Sequence, residues 1–153
     1  MRKRKIITII SRICFVIYMM ILVYFLLLSD GFGRMNGYTE FRYNLVPFQE
    51  IIRFVKYRDY IDFFSVIVNL FGNVVAFMPF GALIRWVINR KVRWYQAVLY
   101  TFLFSLCVEL LQLVAKVGVF DVDDLILNTL GGMIGFLVYY VLLLINRRRE
   151  RND

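Results

Sequence analysis

The chain has 153 residues, 61% of them hydrophobic and 18% aromatic, with a mean hydropathy of +0.67; a soluble domain of this size has no core large enough to use so much apolar surface. The formal net charge of +8 does not indicate nucleic acid, because the basic residues cluster at the edges of apolar runs rather than on a polar face with base-reading side chains. With no histidine in the sequence, imidazole zinc sites, imidazole general bases and Ser-His-Asp arrangements are excluded, while Cys14 and Cys107, each inside an apolar run, support neither a disulfide framework nor a thiolate metal site.

These bounds predict an all-α integral membrane protein: one domain, a bundle of four transmembrane helices, and a short extracytoplasmic interfacial helix between the first and second. A hydrocarbon core of about 30 Å needs roughly 20 apolar residues in helical form. Four windows qualify, at about residues 6–28, 63–88, 95–115 and 125–145. The first follows Arg2, Lys3, Arg4 and Lys5 and is longer than the ~7 to 15 apolar residues of a signal peptide. Ser29 and Gly31 make a poor cleavage pair, so a retained helix is expected. Arg12, near its inner end, extends its guanidinium to the headgroups.

The only long connection, residues 29–62, begins with "GFGRMNG", where Asn36 stands in place of the last glycine of GxGxxG. It follows a helix rather than a strand, so it reads as a flexible turn and not a nucleotide site. Further on, "NLVPFQEIIRFVKYR" sets Phe48, Ile51, Ile52 and Val55 at helical spacing, with Gln49, Glu50, Arg53 and Lys56 opposite. That pattern predicts a helix lying on the membrane surface, with Pro47 in its first turn and Tyr43, Tyr57 and Tyr60 at headgroup depth. The alternative is a solvated loop with a chance stripe.

Orientation follows from the basic flanks. Both termini and the 85–94 loop hold thirteen Lys and Arg, whereas the 29–62 loop and Lys116 hold six, so both termini are expected in the cytoplasm. The second span then enters from outside with Asn69 and Asn73 on one face. The third leaves toward the outside with Glu109 and Gln112 roughly 10 Å and 5 Å below Lys116 at 1.5 Å per residue, and Ser105 a turn deeper. The fourth enters at Asp121, with Asp124 and Asn128 descending from it. Three helices thus present amides and carboxylates at one level.

A charged side chain at mid-span is unfavourable by about 2.5–3.5 kcal/mol, so these groups should turn inward and satisfy one another or line a wet pocket. The candidate ligand-binding residues are Asn69, Asn73, Ser105, Glu109, Gln112, Asp121, Asp124 and Asn128. Glu109 is expected to be protonated, bonded to an amide such as Asn69, Asn73 or Asn128, or paired with a cation. The plainer reading makes the amides interhelical hydrogen bonds and the aspartates near residue 121 a solvated cap of the fourth helix. Asp124 is expected to point into the recess and Asp123 away from it. Gly131 with Gly135, and Gly72 with Ala76, form small-residue pairs for close helix packing. Pro79 releases the carbonyl of Val75 and is expected to kink the second span.

The blocks "NLVPF", "NLFGNVVAFMPFG", "SLCVELLQ" and "FDVDDLILNTLGGMIG", in this order, resemble the VanZ-like family of small bacterial membrane proteins. The resemblance covers about residues 40–145 and marks Asn44, Pro47, Asn69, Gly72, Asn73, Phe77, Pro79, Gly81, Ser105, Glu109, Gln112, Asp121, Asp124, Asn128 and Gly131. Many relatives carry an arginine just before the aspartates; here Val119 and Phe120 precede them and Lys116 is the nearest cation. The namesake is an accessory determinant of teicoplanin resistance, so the resemblance implies a non-catalytic protein of the bacterial cell envelope that lowers glycopeptide susceptibility. No metal and no cofactor is expected. The partners expected are the lipid bilayer and, as ligand, a glycopeptide or a lipid-linked envelope precursor; the oligomeric state is left open. Two other readings stay in play. Glu109, Asp121 and Asp124 suit a membrane enzyme acting on a lipid-linked substrate through a hard cation or acid–base chemistry, and intramembrane acids also mark small transporters.

Overall fold

In a computed structural model, residues 2–28, 40–57, 63–88 and 91–152 are described. They form five helices and two short strands: α1 (Arg2–Leu28), β1 (Tyr43–Asn44), α2 (Gln49–Lys56), α3 (Phe63–Ile88), α4 (Trp94–Val114), β2 (Phe120–Asp121) and α5 (Val122–Asn152). Four of these helices, α1, α3, α4 and α5, are long and apolar enough to cross a bilayer. The expected multi-pass all-α bundle is therefore present, with a short helix between its first and second spans. "GFGRMNG" and Tyr60 lie outside the described residues.

Helix ends follow backbone chemistry more closely than hydropathy. The fourth apolar window stops near residue 145, yet α5 continues to Asn152. Arginine is a good helix former, and positive charge near a helix C-terminus is favourable. Arg12 meets the same demand across the bundle, donating from Nη2 to the Val87 carbonyl at 3.4 Å, one of the last carbonyls of α3. At the head of α4 the Arg93 N–H donates to the Gln96 side-chain oxygen at 2.9 Å, the reciprocal half of a capping box.

The tightest packing joins α3 to α5, and glycine permits it. A Cβ on Gly132 would overlap the Thr101 side chain of α4, and one on Gly81 would overlap the Gly132 carbonyl. Gly131 and Gly135 face the Val74 and Met78 carbonyls just as closely. The expected Gly131–Gly135 pair is thus at an interface, but Gly72 and Ala76 are not its counterpart. The nearest neighbour of a Cβ on Gly72 is Val68 of its own helix, at 3.9 Å; Gly81, one turn beyond Phe77, is the residue that meets α5. The helical stripe on α3 faces two ways, and its upper small residues border a cavity rather than a helix.

The apolar core sits at one end of the bundle. Phe80, Ile84, Val92, Ala97 and Phe136 are buried together, with Phe15, Tyr18 and Met19 of α1 packed on them. Phe80 stacks on Phe104 with ring centroids 5.0 Å apart, and Phe15 lies 5.6 Å from Phe80 on the other side. This aromatic seam floors the opposite half of the bundle. Pro79 lies inside α3, which stays helical through it, and close by the Tyr18 hydroxyl donates to the Ala76 carbonyl at 2.6 Å. Cys14 and Cys107 are free and exposed.

The connection before α2 departs from the expected geometry. Pro47 precedes the helix, occupying a turn closed by Gln49 N–H to the Val46 carbonyl at 3.3 Å, with Phe48 in the left-handed region at φ 65. A fixed proline φ serves the second position of a turn as well as a first helical turn. Asn44 sets up that turn by accepting the Val46 N–H at 3.2 Å. The buried anchor of α2 is also not in the expected stripe. Phe54 is only 7% exposed, whereas Ile52 is 60% exposed and Phe48 is exposed as well. Docking on α5 selects the face carrying Phe54, which spacing among the aliphatic residues alone does not reveal.

Candidate functional site

Above the aromatic seam lies a cavity of about 350 Å³. Its polar lining comes from Asn69 and Asn73 of α3, Glu109 and Gln112 of α4, and Asp124 and Asn128 of α5. Its apolar lining comes from Tyr18, Ile21, Leu22, Phe25 and Leu26 of α1 with Val68, Gly72, Val75, Ala76 and Pro79 of α3. The helical spacing explains the convergence: residues three or four apart share a face, and Asn69/Asn73, Glu109/Gln112 and Asp124/Asn128 are such pairs.

Hydrogen bonds hold this wall together. Asn73 Nδ2 donates to Asp124 Oδ1 at 2.5 Å, tying α3 to α5. Gln112 Nε2 donates to the Leu26 carbonyl at 2.7 Å, tying α4 to the end of α1. Asn128 Nδ2 donates to Ser105 Oγ at 2.9 Å. The side-chain oxygen of Asn128 is buried without a partner among the described residues. A buried amide oxygen left unpaired is unfavourable and rare.

Next to this wall, a second polar layer joins the two chain segments that follow α1 and α4. Strands β1 and β2 pair in parallel, Tyr43 opposite Phe120 and Asn44 opposite Asp121. Asn44 Nδ2 donates to both carboxylate oxygens of Asp121 at 3.3 Å. Asp121 in turn accepts the Asp123 N–H at 2.8 Å, capping α5, and its own N–H donates to Glu109 Oε2 at 3.0 Å. Asp123 is 1% exposed. Its carboxylate accepts the N–H groups of Phe48, of Glu50 at 2.9 Å and of Ile51 at 3.4 Å. The orphan donors of the α2 first turn are thus satisfied by a residue from α5.

Burial pushes the Asp121 carboxyl above the usual carboxylate range, outweighing the hydrogen bonds from the Asp123 N–H and Asn44 that act the other way. Glu50 is pushed up too, mainly by burial, against the pull of Arg53, whose guanidinium pairs with it at 2.6 Å. A smaller cavity of about 120 Å³ lies here, lined by Glu50, Arg53 and Phe54 and sharing Asn69 and Asp124 with the larger one.

A family model described as VanZ/LLP1 matches residues 15–144. The chain belongs to the VanZ/LLP1 family. It is similar to a protein named "Protein VanZ" from Enterococcus faecium, with 28% identity over 133 residues, covering 86% of this chain and 74% of that protein. No solved structure matches.

Six of the eight candidate residues of this VanZ/LLP1 chain border the large cavity; Ser105 and Asp121 are not among its lining. Ser105 is fully buried behind Asn128, and Asp121 serves as the joint between β1, α5 and Glu109. The aspartates at 121 and 123 are buried rather than solvated. Lys116, the nearest cation in sequence, holds its ammonium 4.9 Å from the centre of the Phe41 ring. The apolar wall from α1 was not foreseen. Hydropathy marks that helix as a span but carries no sign of which face meets a cavity; the hydrogen bonds of Tyr18 to Ala76 and of Gln112 to Leu26 show it.

Proposed function

We propose that this protein resides in the bacterial cell membrane with both termini cytoplasmic, and lowers susceptibility to glycopeptide antibiotics of the teicoplanin type through a binding cavity facing the outer leaflet. The observation that carries the reading is the cavity of about 350 Å³, in which six amide and acid side chains from three spans converge beside an apolar wall. The volume falls within the range of small-molecule sites, about 300–1,000 Å³. The orientation is supported by the excess of Lys and Arg in the termini and the 85–94 loop, and the antibiotic class by membership of the VanZ/LLP1 family. Binding is favoured over conduction because Phe77 and Phe80, next in sequence to the lining residues Ala76 and Pro79, both pack on Phe104. Expression in a sensitive Gram-positive host should raise the teicoplanin concentration needed to stop growth, and Asn128→Leu should abolish that rise at equal membrane abundance. Unchanged susceptibility with abundant wild-type protein would refute the reading.

A further inference from the structure

Where the cavity opens decides what can enter it. Of its lining side chains, Ile21 and Phe25 of α1 are each 52% exposed and Val75 of α3 is 60% exposed, while Glu109, Gln112 and Asn128 are 3%, 4% and 2% exposed. The open rim is thus the seam between α1 and α3, and the polar groups form the back wall. All three rim residues lie in apolar stretches long enough to cross a bilayer, Ile6–Leu27 and Ile67–Ile88, so the medium at the mouth is hydrocarbon rather than water. Gly72 also lines the cavity. A Cβ there would meet Val68 of its own helix at 3.9 Å and nothing nearer, so the missing side chain leaves room.

The back wall is engaged with itself. Asn73 donates to Asp124, Gln112 to the Leu26 carbonyl and Asn128 to Ser105, and Glu109 accepts the Asp121 N–H. The open space is therefore left mainly to Ile21, Phe25, Val68, Val75 and Ala76. Its shape is elongated. The lining runs from Tyr18 to Leu26 on α1 and from Val68 to Pro79 on α3, roughly 12 Å and 16 Å of helix at 1.5 Å per residue. A volume of about 350 Å³ holds about a dozen groups of ~30 Å³, a water molecule's share of the liquid and close to that of a methylene.

We propose that one acyl chain of a membrane lipid from the adjoining leaflet enters this slot sideways between α1 and α3 and lies along it, with its headgroup remaining at the membrane surface. An empty apolar cavity forfeits dispersion contacts, and a neighbouring lipid chain restores them without leaving hydrocarbon. The inference rests on reading the cavity as a binding site, and does not require the antibiotic role.

Photo-crosslinking tests it. The full-length protein is placed in phosphatidylglycerol nanodiscs containing a small share of the same lipid with a diazirine at mid-chain, and adducts are mapped by peptide mass spectrometry. The wild type should form adducts at Leu22 and Ala76 in the slot as well as at Leu137 and Leu142, which are exposed on α5. Gly72→Leu puts a side chain into the slot, where entry of a lipid chain becomes overpacking, so adducts at Leu22 and Ala76 should fall about tenfold. Those at Leu137 and Leu142 should not change. Val75→Phe enlarges a rim side chain with room around it; it should act the same way, and decides the matter if Gly72→Leu does not accumulate. Wild-type adducts confined to the exposed residues, or slot adducts undiminished in the variants, would overturn the proposal. Slot adducts without any effect of the protein on teicoplanin susceptibility would refute the antibiotic role alone, whereas resistance without slot adducts would refute this inference alone.

Discussion

The Glu109 carboxylate on α4 accepts the backbone N–H of Asp121, the residue that caps α5, at 3.0 Å. A buried acid in one span thereby satisfies a donor at the head of the next. Glu109→Ala should destabilise the protein by about 1–3 kcal/mol, the cost of leaving a buried donor unpaired. Glu109→Gln, which retains an acceptor, should cost clearly less. Denaturant unfolding in detergent distinguishes the two, and equal losses would show that the acceptor role is not what matters.

Asp123 holds the first turn of α2 through three backbone N–H groups. Asp123→Ala should release residues 43–57 while leaving the α3–α5 packing intact. Hydrogen exchange should accelerate at Glu50 and Ile51 by about tenfold or more, given about 1–2 kcal/mol for loss of a cap. Uniform acceleration across all helices would mean that the carboxylate supports the whole bundle instead.

The same layer gives a pH dependence with a definite sign. Asp121 and Glu50 both have carboxyls raised by burial, so the folded state holds its protons to higher pH than the unfolded state. Stability is then fully present below the ordinary carboxylate range and declines as pH rises through the raised folded values. Asp123 and Arg53 face both groups, the former pushing in the same direction and the latter opposing it. Exchange protection of residues 43–57 should increase on mild acidification, and Asp121→Asn should flatten the trend. Greater protection at neutral pH would contradict it.

Glycine substitutions should separate interface from cavity. Gly81→Ala, Gly132→Ala or Gly135→Ala pushes a methyl into a neighbouring backbone or side chain and should cost at least the ~1–3 kcal/mol of overpacking. Gly72→Ala meets only Val68 at 3.9 Å and should be neutral, or stabilising by up to about 1 kcal/mol through helix propensity. Membrane abundance and Tm of the four variants decide between these outcomes.

The spans were legible because hydrocarbon thickness leaves little freedom; residues 63–88 of α3 coincide with the apolar window. The polar convergence was legible because spacing of three or four residues puts Asn69 with Asn73, and Asp124 with Asn128, on single faces. What the sequence hid were partners distant along the chain. Nothing around Pro47 announces that a carboxylate more than 70 residues away will receive the N–H groups of α2. Nothing in a Gly-xxx-Ala spacing tells whether Gly72 or Gly81 meets α5, since both lie in equally apolar stretches. Ser105 and Asp121 were grouped with the lining residues by their expected level along the spans, but level alone does not separate a lining side chain from one buried behind it.

The way α1 is attached distributes rigidity unevenly. Its contacts with the rest of the protein include Phe15, Tyr18 and Met19 packed on the core and side-chain hydrogen bonds at Arg12, Tyr18 and Leu26, while α3 and α5 interlock through bare backbone. The first helix is thus held by side chains, where α3 and α5 are held by close backbone contact. Removing the Gln112 side chain should therefore loosen the wall that α1 gives the cavity more than the α3–α5 frame that carries Asn73, Asp124 and Asn128.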